Sequence, residues 1–264
     1  MNTYGDYEQF KQLFHHLTGI QLDAYKRPQM ERRLLSLCEK RQFATLAEYG
    51  EALKKDEVLL DECVDKVTIN VSSFFRNYNR WQMLSKTILP LLNNNKTGLR
   101  IWSSASSTGE EPYTLAIMCD LAKRSLENGV IMASDIDEEA LIQAKRGHYK
   151  PRGLKEVPEP IIKDYFEEEE SGVIVKKHIR KMVNFTRIDL LNDAYPKRCD
   201  LIVCRNVLIY FTDEAKRKIF IKLSNALVTG GVLFVGSTEQ IFKPEQYGLK
   251  AVAPFFYQKI ELKK

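Results

Sequence analysis

Four short polar clusters in this chain have residue types and spacing that could do chemistry. They are Glu110 and Glu111 in Ser106-Ser-Thr-Gly-Glu-Glu-Pro-Tyr, Asp135 in Ala133-Ser-Asp-Ile-Asp, Asp189 after Phe185-Thr-Arg-Ile, and Arg205 with Asn206 in Cys204-Arg-Asn-Val-Leu-Ile-Tyr-Phe. Each lies at or just after the carboxyl end of a segment that reads as a strand. In an open parallel sheet, ligands bind outside the carboxyl ends of the strands, so four polar ends on one rim make a site. The turn before Glu110 is not G-x-G-x-x-G, and no G-x-x-x-x-G-K-[ST] occurs. Carboxylates at a helix N-terminus repel phosphate. The expected ligand is therefore adenosine-like and cationic, or at least not anionic. S-adenosylmethionine, a sulfonium that also carries an ammonium group, fits.

The same residues also have purely structural readings. Thr108-x-x-Glu111 is a capping box, in which Glu111 would reach back to an orphan N–H. Asp135 falls about one βαβ unit after the turn, where a carboxylate can accept both ribose hydroxyls. Its plainer role is that of a turn residue ahead of a helix that Asp137 caps.

These side chains need a doubly wound α/β sheet to position them. Leu99 to Ser103 reads as a buried strand. Thr108 to Cys119 reads as an amphipathic helix with Pro112 in its first turn, where a missing N–H costs nothing. Strand 130–134 and helix 138–146 continue the alternation, which predicts parallel pairing. Asp200-Leu-Ile-Val-Cys is a strand buried on both faces. Helix 214–227 follows, Gly230-Gly231 turns the chain into strand Val232-Leu-Phe-Val, and residues 249–262 close as an antiparallel hairpin. Residues 1–92 look all-helical: Phe10, Leu13, Phe14 and Leu17 recur at helical spacing, and Gly19 ends that helix. Further helices are expected at 28–41, 46–53, 58–67 and 81–92, with a polar linker at 93–97. The α/β domain occupies 98–264. Residues 147–187 interrupt it as a small antiparallel insert, with helix-breaking Pro151, Pro158 and Pro160, an acidic turn at Glu167–Glu170, and strands at Val173-Ile-Val-Lys and Met182-Val-Asn-Phe.

Composition removes several classes. No run approaches eighteen apolar residues, and the first residues lack the regions of a signal peptide, so a cytoplasmic chain is expected. The five cysteines form no C-x-x-C, and the four histidines have no ligand-like spacing, so neither metal nor disulfide is expected. Residues 1–70 carry 10 basic and 12 acidic side chains, yet residues 26–41 alone carry six basic and two acidic ones. A basic helix on an acidic domain suits a specific acidic partner, and its plainer reading is a solvated face. Arg33 and Lys40 share one stripe with Arg32 beside them. Met30, Leu34, Leu37 and Cys38 lie opposite.

At these motifs the chain closely resembles the bacterial chemoreceptor glutamate methyltransferases (CheR-type), nearly end to end. Thr68-Ile-Asn-Val-Ser-Ser-Phe-Phe-Arg76 is similar to the family's T-x-N-x-T-x-F-F-R segment, with Ser72 keeping a hydroxyl where a threonine is usual. The resemblance implies a class I methyltransferase fold. It also implies a S-adenosylmethionine pocket lined by Asn70, Ser72, Arg76, Glu111, Asp135, Asp189, Leu190, Arg205 and Asn206. The acceptor would be a glutamate of the chemoreceptor's cytoplasmic helical bundle, held in part by the helical domain, with Arg32, Arg33 and Lys40 as its contacts.

Arg76 and Tyr210 are the candidates for orienting the acceptor carboxylate. A surface ion pair for Arg76 and plain packing for Tyr210 are the alternatives. Some family members tether a receptor C-terminal peptide to the small sheet through a Gly-rich loop. Here the turn reads Glu167-Glu-Glu-Glu-Ser-Gly172, so tether-independent recognition is expected. A monomer is expected, acting without nucleic acid and without membrane insertion. Two rival functions remain. A nucleic-acid methyltransferase would suit the basic helix, but the Asp/Asn-Pro-Pro-aromatic motif of amino-methylating enzymes is replaced by Cys-Arg-Asn-Val. A module that senses S-adenosylmethionine without turnover is the other.

Overall fold

The computed structural model describes residues 3–70, 72–92 and 98–261. The expected linker at 93–97 lies outside the described residues. The chain divides into two compact units. One holds the residues up to Asn70 together with Tyr210–Arg217, and the other holds the rest.

In the first unit, α1 (Thr3–Thr18), α2 (Arg27–Lys40), α3 (Leu46–Leu53) and α4 (Glu57–Thr68) pack as the apolar spacing predicts. Phe10 of α1 stacks on Phe14 and on Tyr49 of α3, with ring centroids 5.8 and 6.1 Å apart. Thr45 and Asp56 cap α3 and α4 by accepting N–H groups of their first turns. Met30, Leu34, Leu37 and Cys38 form the buried face of α2. The segment at Tyr210 joins this unit because Lys26 N–H donates to its carbonyl at 2.8 Å and Phe211 packs on Tyr25 at 4.7 Å.

The second unit begins earlier than the sequence suggests. α5 (Tyr78–Met83) runs through a π turn (Leu84–Ile88) into α6 (Leu89–Leu91). Its apolar face is part of the α/β core, not of the helical unit. Trp81 lies edge-on to Phe234 and to Phe75, at 5.6 and 6.4 Å. Helical periodicity says that a face is buried, and it does not say against what.

The remaining elements, in chain order, are β1 (Ile101–Ser103), α7 (Glu110–Leu121), β2 (Ile131–Asp135), α8 (Glu138–Arg146), β3 (His148–Tyr149), α9 (Glu159–Tyr165), β4 (Phe166–Glu169), β5 (Gly172–Val175), α10 (Lys177–Arg180), β6 (Val183–Arg187), β7 (Cys199–Cys204), α11 (Asp213–Ala226), β8 (Leu227–Val235), β9 (Leu249–Ala253) and β10 (Phe256–Lys259). Seven strands form one sheet in the order β6-β2-β1-β7-β8-β10-β9, and β3-β5-β4 form a small second one. The first five of the large sheet run parallel, and β10 and β9 add the antiparallel edge. This is the doubly wound, mostly parallel sheet expected from the alternation, with its switch point between β1 and β7. All six residues of β7 are buried, as its central place demands.

The structure departs from several expectations. β6 belongs to the main sheet, parallel to β2, so the antiparallel insert ends before it. Pro160 does not break a helix but sits in the first turn of α9, where its missing N–H is harmless. Glu167, Glu168 and Glu169 lie in strand β4, not in a turn. Gly230-Gly231 do not turn the chain. They form a bulge inside β8, where a Cβ on Gly231 would stand 2.8 Å from the Cys199 carbonyl oxygen.

α7 is not amphipathic either. It is buried on every side from Glu110 to Cys119. The insert covers the face that the sheet does not: Tyr165 donates to Asp120 at 2.8 Å, and Tyr113 packs against Tyr149.

Candidate functional site

The turn between β1 and α7 is laced to the ends of its neighbouring strands. Ser104 N–H donates to Val203 O and Ser106 N–H to Ser134 O, both at 2.9 Å. Ser107 has φ +45°, and its N–H donates to Asp135 Oδ2 at 2.7 Å. Asp135 Oδ1 accepts the N–H of Asp137 at 3.1 Å, and the carboxylate also takes that of Ile136. Asp137 in turn caps α8, as expected. A carboxylate has about four acceptor directions. Three are in use here, by the N–H groups of Ser107, Ile136 and Asp137. Burial outweighs the three donors and pushes its carboxyl up to about 6.

The capping-box reading fails. Gly109, at φ +97°, occupies the position before α7, and a Cβ there would meet Ala144 Cβ at 2.8 Å. Thr108 donates its hydroxyl to Glu110 at 2.6 Å, and Ser72 bonds the same carboxylate. Glu111 turns away from the helix end. It accepts from Ser103 Oγ at 2.9 Å and from Arg205 Nη1 at 3.5 Å. Burial raises both carboxyls, and Glu111 reaches about 7 although Arg205 pulls the other way.

Arg205 faces inward. Its side chain is 2% exposed, with the guanidinium 5.1 Å from the Trp81 ring and 4.8 Å from the Phe234 ring. Nη2 donates to the Arg76 carbonyl at 2.9 Å and to Asn77 Oδ1 at 3.3 Å, and Trp81 Nε1 donates to the same carbonyl at 3.0 Å. Phe75 and Asn77, on either side of Arg76, both lie in the left-handed region at φ +54° and +63°. Such strain persists only where the surroundings over-determine it, and here Arg205 and Trp81 do so. Arg205 therefore bolts the loop carrying Arg76 to the carboxylate at the start of α7. The Arg76 side chain itself is half-buried.

Asp189 is buried and organises its own loop by accepting from Leu191 N–H at 2.8 Å and Asn192 Nδ2 at 2.7 Å. Leu190 is buried, and its carbonyl receives Lys222 Nζ at 3.1 Å. Ile188 N–H donates to the Asp135 carbonyl at 3.0 Å, so the ends of β6 and β2 are joined. Asn206 is half-buried at φ +61°, with its N–H on Glu239 Oε2 at 2.6 Å. Glu239 was not singled out from the sequence. The available signal was Gly236-Ser-Thr-Glu239 at a strand's carboxyl end, the same position that drew attention to the other clusters.

The structure thus brings Ser72, the Arg76 loop, Glu111, Asp135, Asp189, Leu190, Arg205 and Asn206 to the strand-end rim of one unit. Asn70 and Tyr210 group with the helical unit instead. Asn70 Nδ2 donates to Thr68 Oγ1 at 3.4 Å, and the Tyr210 ring lies 5.5 Å from the Arg33 guanidinium. On α2, Arg32 is exposed, Arg33 donates to the Lys66 carbonyl at 3.2 Å, and Lys40 pairs with Glu62 at 2.8 Å. Among the described residues, no group of three or more His, Cys, Asp or Glu comes together as metal ligands would. No described helix is long and apolar enough to cross a membrane. All five cysteines are buried free thiols.

Residues 70–253 match the family model "CheR methyltransferase, SAM binding domain", and residues 5–68 match "CheR methyltransferase, all-alpha domain". A chemotaxis protein methyltransferase of Listeria monocytogenes is 45% identical over 96% of this chain and 97% of its own length. One from Listeria innocua is 44% identical over the same shares. Among solved structures, a TehB-like SAM-dependent methyltransferase from Corynebacterium glutamicum aligns loosely. It covers 69% of this chain and 94% of its own, at 15% identity and a TM-score of 0.40.

Proposed function

The chain belongs to the CheR methyltransferase family, and from that premise we propose that it esterifies glutamate side chains of a chemoreceptor's cytoplasmic helical bundle. The observation that carries the reading is the buried Glu111–Arg205 pair, which couples the carboxylate rim to the loop bearing Arg76. The residues of the rim fit S-adenosylmethionine. Its carboxylates suit a cationic ligand, and Ser106 Oγ is buried without a partner, a group that a ligand could satisfy. Ser72, Glu111, Asp135, Asp189, Leu190 and Asn206 would hold it there, with Asn70 added on the strength of the family motif alone. When bound, S-adenosylmethionine supplies a methyl group made electrophilic by its sulfonium.

The remaining work falls to the chain. A glutamate acceptor is already ionised at neutral pH, so no general base is required. Arg76 offers a fork that matches two carboxylate oxygens, and Tyr210 is the second candidate for orienting them. Opposite charges vanish when a carboxylate becomes an ester, so a rim that excludes water favours the step over bulk solvent. Orientation supplies much of the remainder.

Recognition of the receptor is assigned to the basic face of α2, with Arg32 and Lys40 exposed on it and Arg33 beside them. Recognition is taken to be independent of a tethered receptor tail. Glu167, Glu168 and Glu169 are exposed on β4, an edge strand of the small sheet, and would repel a peptide ending in a carboxylate. The enzyme is read as a cytoplasmic monomer.

Incubation with labelled S-adenosylmethionine and receptor-containing membranes tests the reaction. A glutamate ester releases volatile methanol in base, and label that stays on the protein would contradict ester formation. Micromolar binding of isolated receptor C-terminal peptides, or methylation lost on truncating the receptor tail, would contradict tether independence.

A further inference from the structure

Glu239 makes contacts that no capping or turn role within its own loop explains. It is 6% exposed at the end of β8. Its Oε2 accepts the N–H groups of Asn206 at 2.6 Å and Gly236 at 2.8 Å, its Oε1 accepts that of Leu208 at 2.6 Å, and the carboxylate also takes the N–H of Ile209. Three of these four donors belong to the turn after β7, some thirty residues earlier in the chain. The acceptor capacity of the carboxylate is filled. Asn206 is held at φ +61°, a conformation that side-chain-bearing residues adopt at a cost. Gly236 is obligatory beside it. A Cβ there would lie 2.2 Å from Glu239 Oε2 and 3.0 Å from Asn206 N.

Burying a carboxylate is costly unless it is paired or fully hydrogen-bonded. Here that cost is spent on one turn, and that turn carries Arg205 and Asn206. Arg205 in turn reaches Glu111 and the Arg76 carbonyl. We propose that Glu239 is a positioning residue for the methyl-transfer site: by gathering the backbone N–H groups of the 206–209 turn it sets where Asn206 stands and from where Arg205 reaches inward. It touches neither substrate itself. The inference rests on reading the strand-end rim as the cofactor pocket.

The test measures binding of S-adenosylhomocysteine by calorimetry in the full chain, with steady-state kinetics on receptor membranes. Glu239→Gln keeps the size and one acceptor oxygen, but puts an NH2 where backbone donors converge. Its dissociation constant should rise at least tenfold, with KM for S-adenosylmethionine rising alike and KM for the receptor unchanged within twofold. Leu249→Val, in edge strand β9, is the control for lost stability; it should lower Tm while leaving affinity within twofold. Should Glu239→Gln be recovered unfolded, Glu239→Asp shortens the reach by one methylene and should weaken binding at least fivefold.

A folded Glu239 variant that binds as tightly as the native chain would overturn the proposal. So would affinity that tracks Tm equally in the Leu249→Val control. Asp135→Ala reports on the pocket reading itself. If it binds normally, that reading falls, and the role of Glu239 with it. If it binds weakly while Glu239→Gln binds normally, only the role of Glu239 is lost.

Discussion

Two glutamates of this protein each face an arginine, and their chemistry runs in opposite directions. Glu62, on α4 of the helical unit, accepts from Arg41 at 2.6 Å and Lys40 at 2.8 Å, and these bonds pull its carboxyl below the usual range. Glu111, in the α/β unit, faces Arg205 at 3.5 Å, yet its carboxyl is pushed up to about 7. Burial makes the difference. The Glu62 pair is partly open to water, so burial costs its carboxylate little and hydrogen bonding wins. At Glu111 the loss of water dominates, and one arginine does not offset it. A partner alone therefore does not say what a charged residue does. The exposed pair is available for recognition and is screened by salt. The buried pair holds geometry and poises a carboxylate near neutrality.

Breaking the buried pair should have the largest effect. Arg205→Ala leaves Glu111 buried without a cation and frees the Arg76 loop, a loss of about 3–5 kcal/mol of stability in denaturant titrations. The loss should be smaller at pH 6 than at pH 8, because protonating Glu111 relieves the orphaned charge. Equal losses at both values would mean that Glu111 is not the group left behind.

Next in size is Asp135→Ala, which removes the anchor of Ser107 as well as a ligand acceptor. Affinity for S-adenosylmethionine and for S-adenosylhomocysteine should fall alike, by about 1.5–3 kcal/mol. Normal binding by calorimetry would leave Asp135 as an anchor of the turn only, and would overturn the reading of the rim as the cofactor pocket.

The pH dependence follows from the same burial. Glu111 and Asp135 titrate at about 7 and about 6 in the folded chain, against ordinary carboxylate values near 4. Folded values raised above the unfolded ones mean that the two groups favour the fold most at pH below about 4, and that this contribution is lost as pH rises through 6 and 7. A cationic ligand prefers the ionised forms, so affinity for S-adenosylmethionine should climb over that window. Glu111→Gln should remove the part of the climb near pH 7. A profile unchanged by that substitution would assign the titration elsewhere.

The smallest effect belongs to the exposed pair. Lys40→Ala should shift Tm by no more than about 2 °C and leave cofactor affinity untouched. Arg32→Glu should likewise spare stability. It should reduce receptor methylation, and the defect should shrink as salt rises, since exposed charges are screened beyond about 10 Å at 0.1 M. A defect equal at low and high salt would argue against an electrostatic receptor contact through α2.

Much of the fold was legible because its signals are local. The periodicities of α1 to α4, the alternation from β1 to α8 and the apolar run of β7 each state a secondary structure and a buried face. The polar residues at strand ends marked the rim, because in a parallel sheet those ends converge whatever the details. The helix expected at 81–92 is there, but its periodicity does not say that Trp81, Leu84 and Ile88 bury against Phe234 and its neighbours, distant in sequence. A short strand does not announce which sheet it joins, so the sequence puts β6 in the insert while its pairing puts it beside β2. The capping box at Thr108 was a sound local option that lost to a better partner, since Glu111 gains more from Ser103 and Arg205 than from an N–H of its own turn.

The sequence by itself determined the element types, the doubly wound class, the strand-end rim and the motifs that place the chain in its family. Tertiary structure decided how each charged group is spent. It turned Arg205 inward between two aromatic rings, committed most of Asp135 to backbone donors, paired Lys40 with Glu62, and gave Glu239 a turn to hold. Residue type and spacing act over a few residues along the chain. Burial and partnership depend on which distant segments meet, and with charged groups that meeting sets both the cost of desolvation and the hydrogen bonds that offset it.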